Sequence, residues 1–206
     1  MTRFDRRFIA VILAPLPPIL LFLTGWWVSF LFLKENPAFI AAFIGLTLGI
    51  LLDIRYLGRW VNGAFQMRMS LWLLVYGFYS VCFFGFFMGV PVFNLFLGIP
   101  VGVFIVRQAK MLKCTQGNTN KRIEAASRIS ALYMVFICFS SAVIALVDPY
   151  TANNLEGMFN LSFEVTREMI GCLILAGGIA LIIIQYAITK FSAYHFNAVC
   201  NNLVDR

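Results

Sequence analysis

The chain has 206 residues, of which 61% are hydrophobic and only 12% are charged, and its formal net charge is +7. A soluble protein of this length cannot bury so much apolar surface in one core, so the composition excludes an ordinary soluble domain and indicates a membrane protein. The basic excess lies beside apolar runs rather than on a polar domain with exposed aromatic residues, so we expect no nucleic-acid partner.

Six apolar runs alternate with short polar segments, and a helix that crosses a bilayer needs about 20 residues. They predict an all-α integral membrane protein, a compact bundle of six transmembrane helices formed as a single domain over residues 1–206. The first run contains Pro15, Pro17 and Pro18, which predict a kink near its start. No cleavage site follows it, so we interpret it as an uncleaved span. The predicted spans are 8–33, 38–52, 70–90, 95–106, 129–147 and 169–189.

The segments between the spans are short, and each has its own pattern. Tight outer turns are predicted at Lys34–Pro37 and at Pro91–Asn94. Residues 53–68 mix basic and aromatic side chains, which predicts a short amphipathic piece in the inner interface. Residues 107–128 form a basic cytoplasmic hairpin with its turn at Gln116–Asn120. A mostly polar tail follows Thr189.

The distribution of charge predicts the orientation. With the N-terminus inside, only Lys34 and Arg167 among the 16 Lys and Arg residues fall on the outer side. Because basic residues favour the cytoplasmic side, both termini are predicted to be cytoplasmic. We expect a multi-pass protein of a bacterial or archaeal plasma membrane.

The fourth run is the most unusual of the six. It contains Pro100 between Gly98 and Gly102, and Asn94 stands at its outer end. Spans that Gly and Pro interrupt often provide binding sites in transporters, because loosened backbone can contact a ligand. A simple kink is the plainer interpretation. Asn94 and Pro100 are nevertheless candidate ligand-binding residues.

The third run carries an aromatic stripe at helical spacing, in which Tyr76 and Tyr79 need hydrogen-bond partners. The stripe favours packing or lipid contact, with the lining of a ligand cavity as the alternative, and it makes both tyrosines candidates. The stripe is Trp72, Tyr76, Tyr79, Phe83 and Phe86.

Gly-x-x-x-Gly pairs in spans two, three and four predict close helix packing. The pairs are Gly45/Gly49, Gly85/Gly89 and Gly98/Gly102.

The outer loop, residues 148–168, is polar and acidic. Residues 150–161 are predicted to form a helix that lies flat on the membrane, and Ser162 is a predicted N-cap for the last span. Acids in a first helical turn complement the helix dipole, which explains Glu164 and Glu168 without a ligand. The functional alternative is a polar lid over the outer mouth. Its candidate ligand-binding residues are Asp148, Glu164, Arg167 and Glu168.

Recognisable catalytic chemistry is missing from the sequence. No span carries a central charge, the five cysteines have no C-x-x-C spacing, and His195 is the single histidine. We therefore expect no cofactor, no metal and no enzymatic activity. An enzyme would have to use outer-surface acids, with a metal or without: Asp148, Glu156, Glu164 or Glu168.

The basic hairpin is expected to bind anionic lipid headgroups on the inner side, with docking of a membrane partner subunit as the alternative. A homo-oligomer is also compatible with the sequence. The candidate residues of the hairpin for contact with lipid or a partner are Arg107, Lys110, Lys113, Lys121 and Arg122.

Six spans, about 200 residues, a basic inner side and an outer lid loop resemble the substrate-binding subunits of energy-coupling-factor vitamin importers in size and topology. The resemblance concerns topology alone and transfers no residues. The first hypothesis is a protein that binds or transports a small molecule entering from the outer side. The alternative is a non-catalytic subunit or assembly factor of a larger membrane complex.

Overall fold

The computed structural model describes residues 1–32, 37–160 and 163–202. Within these ranges the protein is helical and has no β-strand. The predicted outer turn residues Lys34–Asn36 and the predicted N-cap Ser162 lie outside the described residues. The α-helices are α1 Arg3–Leu13, α2 Leu16–Phe32, α3 Pro37–Gly63, α4 Met69–Phe86, α5 Gly98–Met111, α6 Gln116–Val147, α7 Thr151–Phe159 and α8 Arg167–Asn202, and two 3-10 helices cover Ala64–Gln66 and Pro91–Leu97.

Six helical segments of the described chain are long and apolar enough to cross a membrane. This confirms the all-helical class and the six candidate spans, and it indicates a multi-pass integral membrane protein. The orientation of the termini and the assembly of all six into one compact bundle stay predictions. The segments are Arg3–Phe32, Ala38–Gln66, Met69–Phe86, Pro91–Met111, Gln116–Val147 and Arg167–Val199.

Several helices continue beyond the predicted ends of the spans. Helix α3 runs through Asp53, Arg55 and Arg59 to Gly63, so the first part of the segment 53–68, which was predicted to lie in the inner interface, continues the helix of the second candidate span. Helix α8 reaches Asn202, so the segment predicted as a polar tail is helical at least that far. Polarity marks where a span leaves the apolar phase, whereas a helix continues for as long as its backbone hydrogen bonds can form.

The turn of the basic hairpin lies earlier than predicted. Lys113 adopts a left-handed conformation (φ 51°), and the amide of Cys114 donates to the carbonyl of Ala109 at 2.9 Å. Together with the Lys113 amide bond to Lys110, this is the Schellman motif that ends helices. Because one left-handed residue completes the reversal, Gln116–Asn120 are free to form the start of α6, and the turn predicted there is wrong.

The chain divides into two compact units, Met1–Trp72 and Leu73–Arg206. In the first unit, α1 ends at Leu13 and α2 begins at Leu16, so the helix is interrupted at Pro15, where a kink was predicted. Helices α2 and α3 then pack backbone to backbone. A Cβ atom added at Gly45 would collide with the Leu21 carbonyl, and one added at Gly49 would collide with the backbone of Pro18. The close approach predicted for this glycine pair is confirmed.

In the second unit, α8 packs against both α5 and α6. The pair Gly98/Gly102 faces α8, and a Cβ at Gly102 would collide with Ser192 and the α8 backbone. The packing predicted for Gly85/Gly89 is wrong. Among the described residues, Gly85 has no neighbour within 4 Å of an added Cβ, and Gly89 (φ 81°) follows the end of α4. A left-handed Met88 and the bond from the Gly89 amide to Phe84 end that helix.

Candidate functional site: a buried polar network in the second unit

The fourth span is interrupted, as predicted, but the interruption precedes Pro100. The chain enters it as a 3-10 helix, Pro91–Leu97, and becomes α-helical at Gly98. Pro100 lies in the first turn of α5, where its missing amide proton leaves no intrahelical hydrogen bond unmade. The segment predicted as a short outer turn is therefore ordered helix, and it places Asn94 inside the protein.

Asn94 is buried, with 3% of its surface exposed. Its Nδ2 donates to the backbone carbonyl of Ser80 at 3.2 Å. A carbonyl oxygen can only accept, so this bond fixes the orientation of the amide and directs Oδ1 to the other side. Asn94 Oδ1 is buried and has no hydrogen-bond partner in the described part of the chain. A buried acceptor without a donor is costly in an apolar surrounding, so its presence requires an explanation.

The middle of the network joins α4 to α8. Gln185 is fully buried, and its Nε2 donates to the hydroxyl of Tyr76 at 3.0 Å. Gln185 Oε1 is a second buried acceptor for which the described chain offers no donor. The Ser80 hydroxyl donates to the Tyr76 carbonyl at 2.9 Å. The contact with Asn94 and the contact with Gln185 therefore lie on neighbouring turns of α4.

The other end of the network joins α8 to α6. Thr189 Oγ1 donates to the Gln185 carbonyl at 2.9 Å and lies 2.9 Å from Ser130 Oγ, which is also buried. The single proton of the Ser130 hydroxyl is shared between Thr189 Oγ1 and the carbonyl of Ser127, which lies 3.0 Å away. Hydroxyl and amide groups from four candidate spans therefore meet in the interior of the second unit.

Gly98 allows the backbone of α5 to approach this network. A Cβ atom at Gly98 would lie 2.8 Å from Thr189 Oγ1 and 3.1 Å from Gln185 Nε2. A larger residue would push these side chains away, because such distances are shorter than van der Waals contact. The glycine therefore brings the start of α5 beside Gln185 and Thr189.

An aromatic pair borders the network. The rings of Tyr76 and Tyr133 meet edge to face with centroids 5.0 Å apart, and the Tyr133 hydroxyl donates to the Leu73 carbonyl at 3.0 Å. The side chains of the network are all neutral: Asn94, Ser80, Tyr76, Gln185, Thr189, Ser130 and Ser127.

Two predicted site residues, Asn94 and Tyr76, thus belong to one network, and Pro100 lies two residues from Gly98. Tyr79 is half-buried on α4, where its ring packs against Phe78. The residues of the aromatic stripe differ in exposure. Trp72 is buried and donates to the Ala64 carbonyl at 3.1 Å, whereas Phe86 is 82% exposed.

The outer loop has a structure of its own. The predicted helix within it is α7, and Glu156 Oε1 accepts the Val165 amide at 2.6 Å. Asp148 accepts the Tyr150 amide at 3.0 Å. Thr166 caps α8 through the Met169 amide at 3.3 Å. That cap places Glu164 before the helix, so the expected position of Glu164 in the first turn is wrong, whereas Glu168 lies in that turn.

The outer-loop candidates form no hydrogen bond to the buried network within the described residues. Glu164, Arg167 and Glu168 are exposed, and Asp148 is half-buried. Asn94 and Tyr76 are therefore the predicted site residues that belong to the network, whereas the candidates of the 148–168 loop do not.

The basic hairpin residues differ in their surroundings. Arg122 donates to Gln108 Oε1 at 3.3 Å, and Arg107 and Lys110 are half-buried. Lys113 and Lys121 are exposed on either side of the turn. Those two are the hairpin residues best placed to meet a lipid headgroup or a partner.

An apolar depression of about 420 Å³ lies along α3 in the first unit. All its lining side chains come from one helix, and Thr47, which bonds the Phe43 carbonyl of its own helix, is the polar member. Ligand sites normally combine apolar walls with convergent polar groups, so this surface is typical of lipid contact. It is lined by Phe39, Ile40, Phe43, Ile44, Thr47 and Leu48.

In the described ranges, no group of three or more His, Cys, Asp and Glu side chains is placed to hold a metal ion. The sequence matches no protein-family description, no curated protein and no solved structure.

Sequence reasoning missed Gln185, Ser80, Ser130 and Thr189. The signal for Gln185 and Thr189 was their i, i+4 spacing within an apolar run, which places both on one face of α8. A search for charges in the spans passes over such neutral polar residues, although they also prefer a protein interior to lipid.

Proposed function

We propose that this protein binds or transports a small molecule that enters from the outer side of the membrane and reaches the buried network of the second unit. The observation that carries the proposal is Asn94 Oδ1, a buried acceptor of fixed orientation without a donor. A ligand that donates a hydrogen bond to it would remove the cost of its burial.

The position of the network supports this proposal. Asn94 lies on the 3-10 segment that leads into α5, and Gln185 lies near the middle of the long helix α8. Interrupted helices with polar groups in the apolar region are the features from which transporters build substrate sites. The energy for uptake would come from a partner subunit or from the substrate gradient, because the sequence contains no ATP-binding motif.

The test is a thermal-shift screen of the purified protein against a metabolite panel, followed by uptake into vesicles. We expect at least one compound to raise the melting temperature of the natural protein. We expect Asn94→Leu to abolish that shift and the uptake, while Asn153→Leu, at an exposed position of α7, retains both. No stabilising compound in the panel, together with unchanged uptake in Asn94→Leu, would refute the proposal.

The alternative is a non-catalytic subunit or assembly factor of a larger membrane complex. Lys113 and Lys121 favour it, because they stay exposed beside the α5–α6 turn while Arg122 bonds within the protein. A photo-crosslinking residue at position 113 in native membranes distinguishes the two. A single partner that crosslinks there and survives mild detergent supports a subunit role, whereas crosslinks to lipid alone oppose it.

A further inference from the structure

We infer that the ligand of the buried network is a small organic molecule that donates N–H or O–H hydrogen bonds and carries no negative charge, an amine or a primary amide being the chemistry that fits. This inference rests on the proposed function and adds the chemical class of the ligand.

The first argument is the balance of donors and acceptors. Three nitrogen or oxygen donors of the network each have an acceptor within the protein: Asn94 Nδ2 donates to Ser80 O, Gln185 Nε2 to the Tyr76 hydroxyl, and the Thr189 hydroxyl to Gln185 O. The groups without a partner are two carbonyl oxygens, Asn94 Oδ1 and Gln185 Oε1. A ligand that can only accept hydrogen bonds would leave both oxygens unsatisfied.

The second argument is charge. The network consists of neutral side chains. Its two oxygens without a partner among the described residues, Asn94 Oδ1 and Gln185 Oε1, carry partial negative charge. A carboxylate or phosphate placed beside them would be desolvated and would meet like partial charge, which is unfavourable at low dielectric. An ammonium group would gain Asn94 Oδ1 as an acceptor, and the Tyr76–Tyr133 pair beside the network adds aromatic rings that attract cations.

The third argument is the outer loop of the same unit. Between Asp148 and Glu168 the chain carries four acids and one base, Arg167. If this loop is outside, as the charge distribution predicts, it attracts cations and repels anions at the entry side. Selection by charge at the loop and selection by hydrogen bonding at the network then favour the same class of molecule.

The test uses four probes that share a phenyl ring and differ in donors and charge: phenethylammonium, phenylacetamide, N,N-dimethylphenylacetamide and phenylacetate. Binding to the purified full-length protein is measured by titration calorimetry and by thermal shift. We expect phenethylammonium and phenylacetamide to bind about tenfold more tightly, or better, than the dimethylamide and phenylacetate. Asn94→Leu should remove this preference.

Gln185→Met provides a second variant, because it keeps the length of the side chain and removes both polar ends of the amide. Equal or tighter binding of phenylacetate or the dimethylamide would overturn the inference and leave the proposed function standing. Failure of all four probes, or a crystal structure with water alone at Asn94 Oδ1 in the presence of phenethylammonium, would also overturn it. The metabolite panel decides the proposed function separately.

Discussion

At the scale of single residues, the bond between Ser130 and Thr189 is the contact that joins α6 to α8 inside the network. The two hydroxyl oxygens lie 2.9 Å apart, and both residues are at most 1% exposed. Hydrogen bonds between membrane helices contribute about 0.6 kcal/mol on average and up to about 1.7 kcal/mol. We expect a coupling energy in this range between Ser130→Ala and Thr189→Val.

That coupling is measured by a double-mutant cycle on the free energy of unfolding in detergent. The cycle subtracts the free energy that Thr189→Val loses through its other bond, to Gln185. Ser140→Ala is the matched control, since the Ser140 hydroxyl bonds only its own helix at Phe136 and is exposed. It should change the free energy by less than about 0.5 kcal/mol. A coupling energy of zero would show that the two hydroxyls do not stabilise the α6–α8 contact.

The same residues show how far the sequence can predict a site. Asn94 and Pro100 were found because Pro and Gly inside an apolar run are locally unusual. Ser130 and Thr189 were missed because their bond joins positions 59 residues apart, and a single sequence does not show which positions of two helices will meet. Glu164 and Glu168 were predicted to share the first turn of the last span, with a polar lid as the alternative, but Thr166 caps α8 and leaves Glu164 outside it.

At the scale of the helices, glycines determine how closely α2 and α3 approach each other. An alanine at Gly45 would place its Cβ on the Leu21 carbonyl and force the two backbones apart. Gly58, on the same helix, has no neighbouring atom within 4 Å of an added Cβ in the part of the chain that the structure describes. We expect Gly45→Ala to lower the free energy of unfolding by about 1–3 kcal/mol, as for an overpacked core.

Gly58→Ala is the control and should leave that free energy unchanged or raise it by up to about 1 kcal/mol, because alanine favours the helix. Both values come from denaturant titrations of the purified protein in one detergent. Equal effects of the two substitutions would contradict the close contact, since helix propensity alone does not distinguish the positions.

Helix ends were predicted less well than the helices themselves, for a physical reason. Hydropathy reports which residues the bilayer accepts, and this identified all six candidate spans. Residues such as Arg55 and Arg59 are unfavourable in hydrocarbon but favourable in a helix, so α3 continues where the apolar run stops. The turn after α5 depends on one left-handed lysine, Lys113, and neither Gly nor Pro marks it.

At the scale of the whole molecule, the charge distribution predicts on which side of the membrane each loop lies, which the fold alone does not show. It places the α7 loop outside the membrane and the α5–α6 turn inside, because nearly all Lys and Arg residues fall on the side of that turn. We expect Asn153→Cys to react with a membrane-impermeant maleimide in intact cells. Gly117→Cys should react only after permeabilisation. Both positions are exposed, so access through the membrane decides the result.

The experiment requires a background in which the five natural cysteines are replaced, because Cys114 lies close to the inner turn. The reverse pattern of labelling would place the acidic loop in the cytoplasm. Ligands would then reach Asn94 from the inner side if the buried network is a binding site, and the loop could no longer attract cations from outside. The labelling result therefore tests the entry side, while the preference for donors at Asn94 Oδ1 rests on hydrogen-bond geometry and would be unaffected.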